Sequence, residues 1–178
     1  MLLNKLPCLD KGYVALVSSM NDSNHLKDIG TEFFGVTAIN PKTLNIGYMT
    51  LAVKCPLFIH THLAQFEFNI ITTKPSKDVE AYIPNPGEIG SKDSEVNRVI
   101  ADDINRTIEA LFINPKAYQA DGCDRFISHL IMPISTYTTI LVTGRYDQWS
   151  KFINQTGLPA PIESYRLMVD QIFKAEWK

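Results

Sequence analysis

His60-Thr61-His62 is the most chemically suggestive run in the chain, because two imidazoles close together can share a metal ion or relay a proton. The apolar spacing around them predicts a helix, where residues two apart point in different directions, so a structural role is expected rather than metal ligation. Gln65 and Glu67 follow on the same segment and offer an amide and a carboxylate to a polar ligand, with an exposed helix end as the plainer alternative. Asp102-Asp103 are adjacent on a strongly helical stretch and read as solvated. Cys8, Cys55 and Cys123 are odd in number, far apart and without a CxxC pair, which predicts reduced thiols rather than a disulfide frame or a zinc site. The sequence has no P-loop, no glycine fingerprint directly after a strand, no GxSxG elbow and no HExxH. No metal site is expected.

The elements that must position any site follow from periodicity and turn signals. Asp10-Lys11-Gly12 is a turn, and Tyr13 to Val17 reads as a buried strand. Asn21 to Asn24 can cap a short helix carrying Leu26, Ile29 and Phe33. The later half of Leu44 to Val53 alternates as a strand does, and Pro56 to about Phe68 predicts a helix, with Ile59, Leu63 and Phe66 on one side. Thr72 to Lys92, rich in Pro, Gly, Ser, Lys and Asp, reads as a long surface loop. From Ser94, the spacing of Val96, Ile100, Ile104, Ile108 and Leu111 predicts a helix, followed by a second helical stretch from Tyr118 to Leu130. Thr136 to Thr143 is dense in β-branched and aromatic residues and predicts a strand ended by Gly144. Gln148 to Asn154 reads as helical. Pro159 and Pro161 precede a last helix that buries Ile162, Tyr165, Met168, Val169, Ile172 and Phe173. Strands and helices do not alternate regularly, so the expected class is α+β, one domain over 1–178 with a mixed sheet and packed helices.

Bulk composition bounds the function. The 178 residues are 45% hydrophobic and 20% charged, as in ordinary globular proteins. A net charge of -2 and a pI near 6.1 provide no basic field for a nucleic-acid backbone. No apolar run approaches the roughly 18 residues that span a bilayer, and Met1 to Pro7 is too short and interrupted for a secretory signal, so a cytoplasmic protein is expected.

Several segments, in order, carry a resemblance. His129 to Phe152, which contains Met132-Pro133 and Thr143-Gly144-Arg145-Tyr146-Asp147-Gln148-Trp149, is similar to the "LP…T…TGNYRAW..F" run of the flavin-dependent thymidylate synthases. Leu9 to Val14 resembles that family's opening strand, Val53 to Ile59 its "KAPIFVARQ" run, and Ala81-Tyr82-Ile83-Pro84 its "FYIP". The resemblance implies an α+β homotetramer that binds FAD, dUMP and methylenetetrahydrofolate at subunit junctions and methylates C5 of the uracil ring without a cysteine nucleophile.

The family's signature "RHRxxSxxExSxRY" is degenerate here. Its Arg-His-Arg falls on Gln65, Phe66 and Glu67, its serines on Ile70 and Pro75, its acidic position on Thr73, its later Arg on Lys77 and its Tyr on Asp78. In "TGNYRAW" the Asn becomes Arg145 and the nucleotide-contacting Arg becomes Asp147. The distal flavin Arg falls on Thr156, with Asn154 kept just before it, and the upstream histidines have no counterpart in Asn40 to Asn45. The resemblance therefore implies nucleotide binding by Lys77, Arg166 (at the family's late "EIR" Arg), Arg145 and His62, and a residual flavin contact by Asn154, Gln65 and Glu67. It assigns no catalytic residue. Two functions follow: C5 one-carbon transfer to dUMP or a variant such as hydroxymethylation, or an inactive scaffold serving as a nucleotide-binding, assembly or protein-interaction subunit.

Overall fold

The computed structural model describes residues 4–20, 47–72, 80–122 and 133–177. Strand β1 (Lys5–Cys8) turns at Leu9 to Lys11 into β2 (Gly12–Met20). Strand β3 (Tyr48–Pro56) runs into helix α1 (Leu57–Ala64), and β4 (Asn69–Thr72) follows. Helix α2 (Ser94–Ala120) comes before β5 (Tyr137–Arg145), α3 (Tyr146–Ile153) and α4 (Ala160–Glu176). The strands form one sheet in the order β1-β2-β3-β5-β4, and every pairing among them is antiparallel. The α+β expectation holds, but the sheet of the described residues is antiparallel throughout rather than mixed, because each strand pairs with neighbours that run the other way.

The sheet is sided because side chains alternate along a strand. Met49, Leu51, Val53 and Cys55 of β3 and Ile140 and Val142 of β5 all join one core, with Val14 of β2. Tyr165, Val169 and Phe173 of α4 and Trp149 and Phe152 of α3 close it from above. On the opposite side of the sheet Thr50 and Thr143, cross-strand partners, share a hydroxyl hydrogen bond of 2.9 Å.

Five expectations shift. The helix expected over Pro56 to Phe68 ends at Ala64, because the chain turns at Gln65 to Glu67, where Glu67 takes φ 57 and redirects Phe68 into the core. The strand expected to stop at Gly144 continues to Arg145: the phenyl edge of Phe68 and the indole of Trp149 pack where that residue has no side chain. The following helix starts at Tyr146 rather than Gln148. Tyr118 opens no second helix, since α2 runs unbroken to Ala120. Thr72 belongs to β4, and 80–93 carries only a bridge from Ala81 to Thr136 and a 3-10 turn at Pro86–Glu88. The helix expected at Leu26 to Phe33, the end of the stretch to Leu130, and Lys77 lie outside the described residues. No helix among the described residues is long and apolar enough to cross a membrane.

Cys8 and Cys55 are both buried and free. Desolvation pushes the Cys8 thiol up to about 12 and raises that of Cys55 as well. Cys8 lies on β1 and Cys55 on β3, with β2 between them, so they are two strand spacings or at least about 9–10 Å apart, beyond disulfide reach. At about pH 8 both should therefore resist iodoacetamide in the native protein and alkylate only in denaturant. Peptide mapping that finds either one labelled in the native state would overturn their burial as inert core thiols.

Candidate functional site

Two helices contribute the same stripe to one cleft. Tyr146, Ser150, Ile153 and Asn154 of α3 and just beyond it recur at i, i+4, i+7 and i+8, as do Arg166, Asp170, Phe173 and Lys174 of α4. Together they line a cleft of about 330 Å³. One part is aromatic, where Tyr146 and Phe173 stack with centroids 5.1 Å apart and Trp177 meets both. The rest is polar: the Asn154 amide donates to Ser150 Oγ at 3.2 Å, and Lys174 pairs with Asp170 at 2.7 Å.

Arg166 is the best-anchored cation of the cleft, its side chain only 16% exposed. Nε and Nη2 donate to the two oxygens of Glu163 at 2.7 and 2.6 Å, and Nη1 donates to the Ile153 carbonyl at 2.7 Å. That last bond satisfies an orphan carbonyl at the end of α3, where a cation also favours the helix dipole. The Glu163 hydrogen bond raises the Arg166 pKa, and the same bond holds the Glu163 carboxyl below its ordinary value. A guanidinium carries five N–H donors, so two remain for a ligand after these three bonds.

His62 does not line this cleft. Its Nε2 lies 2.9 Å from Gln155 Oε1, and its ring meets Phe66 edge-on, so it ties α1 to the residues after α3. Arg145 and Glu67 lie at the opposite end of α3, both bonded to Gln148. Gln65 and Glu67 are exposed on the turn after α1, and Arg145 immediately precedes α3. Arg145 donates to Asp147 at 3.3 and 3.5 Å, a bond that raises its pKa, and Glu67 adds a weaker electrostatic contribution. Arg145, expected from the resemblance to bind nucleotide, thus holds an ion pair with Asp147.

The structure brings together Asn154 and Arg166, and separately Arg145 and Glu67. The sequence reading missed Tyr146, Ser150, Asp170 and Lys174, although their shared helical spacing with Asn154 and Arg166 was there to be found. It also missed Gln148, whose buried amide bonds are made across the fold. Among the described residues no three His, Cys, Asp or Glu side chains converge as metal ligands.

The described residues thus form an antiparallel five-stranded sheet that carries α3 and α4 on its apolar face, with the cleft between them. The sequence matches no family model and no curated protein. The fold is that of a solved structure of the UMP/dUMP methylase PolB from Streptomyces cacaoi, bound with 5-Br dUMP. The two superpose with a TM-score of 0.69 at 16% identity, covering 96% of this chain and 92% of that one. At such identity the likeness establishes a shared fold.

Proposed function

We propose that this chain, as one domain, binds a pyrimidine deoxynucleotide in the cleft between α3 and α4 and acts in C5 one-carbon chemistry on dUMP or a close variant. One observation carries the proposal: Arg166, which the resemblance assigns to the nucleotide, lines one cleft with Asn154, which it assigns to the flavin, in a chain with the fold of a UMP/dUMP methylase. The stacked Tyr146 and Phe173 supply an apolar wall for a base, Asn154 an amide for its edge, and Arg166 with Lys174 the cations for a phosphate. The volume is at the lower end for small-molecule sites, which run roughly 300–1,000 Å³.

The flavin implied by the resemblance fits poorly. Gln65, Glu67, Arg145 and Asp147 present two carboxylates and a single guanidinium, a net negative charge where a pyrophosphate requires an excess of cations. This favours a second reading, in which the chain supplies a nucleotide-binding wall to a shared site and the reaction centre lies elsewhere. Methylenetetrahydrofolate enters only under the first reading. The homo-oligomer that either reading uses, a tetramer by resemblance, is supported by α2, which exposes Val96, Val99, Ile100 and Ile113. Light scattering on the purified protein that gives only a monomer would remove this part.

Calorimetric titration with dUMP tests the cleft. Arg166→Ala is expected to weaken binding by at least about 1.5 kcal/mol, the low end for a hydrogen bond to a charged group. Glu163→Gln, which frees the forked face of Arg166, is expected to tighten it. Unchanged affinity in both variants would take Arg166 out of the site. Titration with FAD, followed by flavin fluorescence with and without dUMP, separates the two readings. Saturable binding strengthened by dUMP supports a flavin enzyme, and absence of binding supports the nucleotide-binding wall.

A further inference from the structure

Gln148 joins three other positions at which this chain departs from the flavin-dependent pattern, Phe66, Glu67 and Arg145. Gln148 stands where the "TGNYRAW" pattern has alanine, and its side chain is nine-tenths buried. Its Nε2 donates to the Glu67 carbonyl at 2.7 Å and to the Phe66 carbonyl at 3.3 Å. Its Oε1 accepts the Arg145 N–H at 2.8 Å. One amide therefore joins the turn after α1 to the start of α3. Phe66 adds an edge-on contact to Phe152 on the same helix.

The turn needs that hold. Glu67 sits at φ 57, a left-handed conformation that is strained for a residue with a Cβ. The Phe66 and Glu67 carbonyls accept from Gln148 in part-buried bonds, and losing that donor destabilises the turn further, so the Gln148 bonds and the left-handed turn support each other. At the other end, the Arg145 N–H fixes where α3 begins, and the next residue, Tyr146, lines the cleft.

We propose that Gln148 is a positioning residue for the nucleotide cleft: its amide locks the left-handed turn at Glu67 to the start of α3 and so sets the placement of Tyr146 in the wall. The nucleotide arm of the test rests on the function proposed above; the stability arm does not.

The experiment combines a double-mutant cycle with calorimetry on the full chain. Gln148→Ala should lower Tm by about 5 °C. In a Glu67→Gly background, where glycine takes positive φ freely, the same change should cost about half as much. For dUMP, Gln148→Ala should weaken binding about tenfold, a loss in the usual range for a displaced binding group. Gln148→Glu supplies a further readout. Ionised, the new carboxyl accepts from Arg145 but cannot donate to the Glu67 carbonyl; protonated, it can. Its affinity relative to the unmodified protein should therefore be low near about pH 8 and rise as pH falls toward the carboxyl's own pKa, about 4.3 for a free glutamate and higher when buried, while Gln148→Ala stays flat. Stability losses that simply add would overturn the locking of the turn. A protein that binds dUMP equally well with Gln148→Ala would overturn the positioning role. If the unmodified protein binds no dUMP, the nucleotide reading falls and the cycle alone decides whether Gln148 locks the turn.

Discussion

Gly12→Ala is expected to destabilise the protein by about 3 kcal/mol or more, among the largest effects of any single methyl group in this fold. A Cβ on residue 12 would fall inside the Tyr165 hydroxyl and within 2.8 Å of the Cys8 and Lys54 carbonyls. Tyr165 cannot retreat, because it is only 1% exposed and its hydroxyl donates to the Lys54 carbonyl at 2.7 Å. The two backbone carbonyls belong to flanking strands and are equally fixed. Tyr165→Phe alone should cost about 1 kcal/mol for the lost hydrogen bond. Combined with Gly12→Ala it should recover part, but not all, of the larger loss, since the carbonyl contacts remain. Urea denaturation of the three variants measures this, and a Gly12→Ala protein of unchanged midpoint would show that α4 is not seated on β2 as described.

Trp149→Ala should cost about 3–5 kcal/mol, the range for removing a fully buried large aromatic side chain. The indole has no exposed surface, lies 4.2 Å between centroids from Phe68 and donates to the Met49 carbonyl at 3.1 Å. It is the side chain through which α3 is pinned to β3. Trp149→Phe retains most of the packing and loses the donor, so it should fall well short of the alanine loss. Thermal unfolding by circular dichroism distinguishes the two, and equal losses would assign the cost to the hydrogen bond rather than to the cavity.

Helix α4 was legible because its apolar residues recur at three- and four-residue spacing over four turns, and the structure buries Tyr165, Val169 and Phe173 as that spacing implies. Strand β4 was not. It is only four residues long, and it follows a reversal at Glu67 that nothing in Gln-Phe-Glu marks, since left-handed turns are usually signalled by Gly or Asn. The continuation of β5 through Gly144 was hidden for the converse reason. Glycine ordinarily weakens a strand, but here the empty space over it is taken by Phe68 and Trp149, residues far away in sequence or on the next helix. Within the site, Asn154 and Arg166 came from the resemblance. The departure at Glu67 and Asp147 was visible as a change of charge, but Gln148, the residue that joins these segments, owes its importance to tertiary contacts alone.

The bond from Arg166 to the Ile153 carbonyl has a consequence for how the cleft would report its own state. A ligand that draws the guanidinium toward itself leaves that carbonyl to water and slackens the last turn of α3, where Asn154 and Gln155 hang their amides on Ser150 and Phe152. Filling of the cleft and fraying of the helix then become a single equilibrium. Deuterium uptake at those two amides would follow it without any label, dye or chemical turnover.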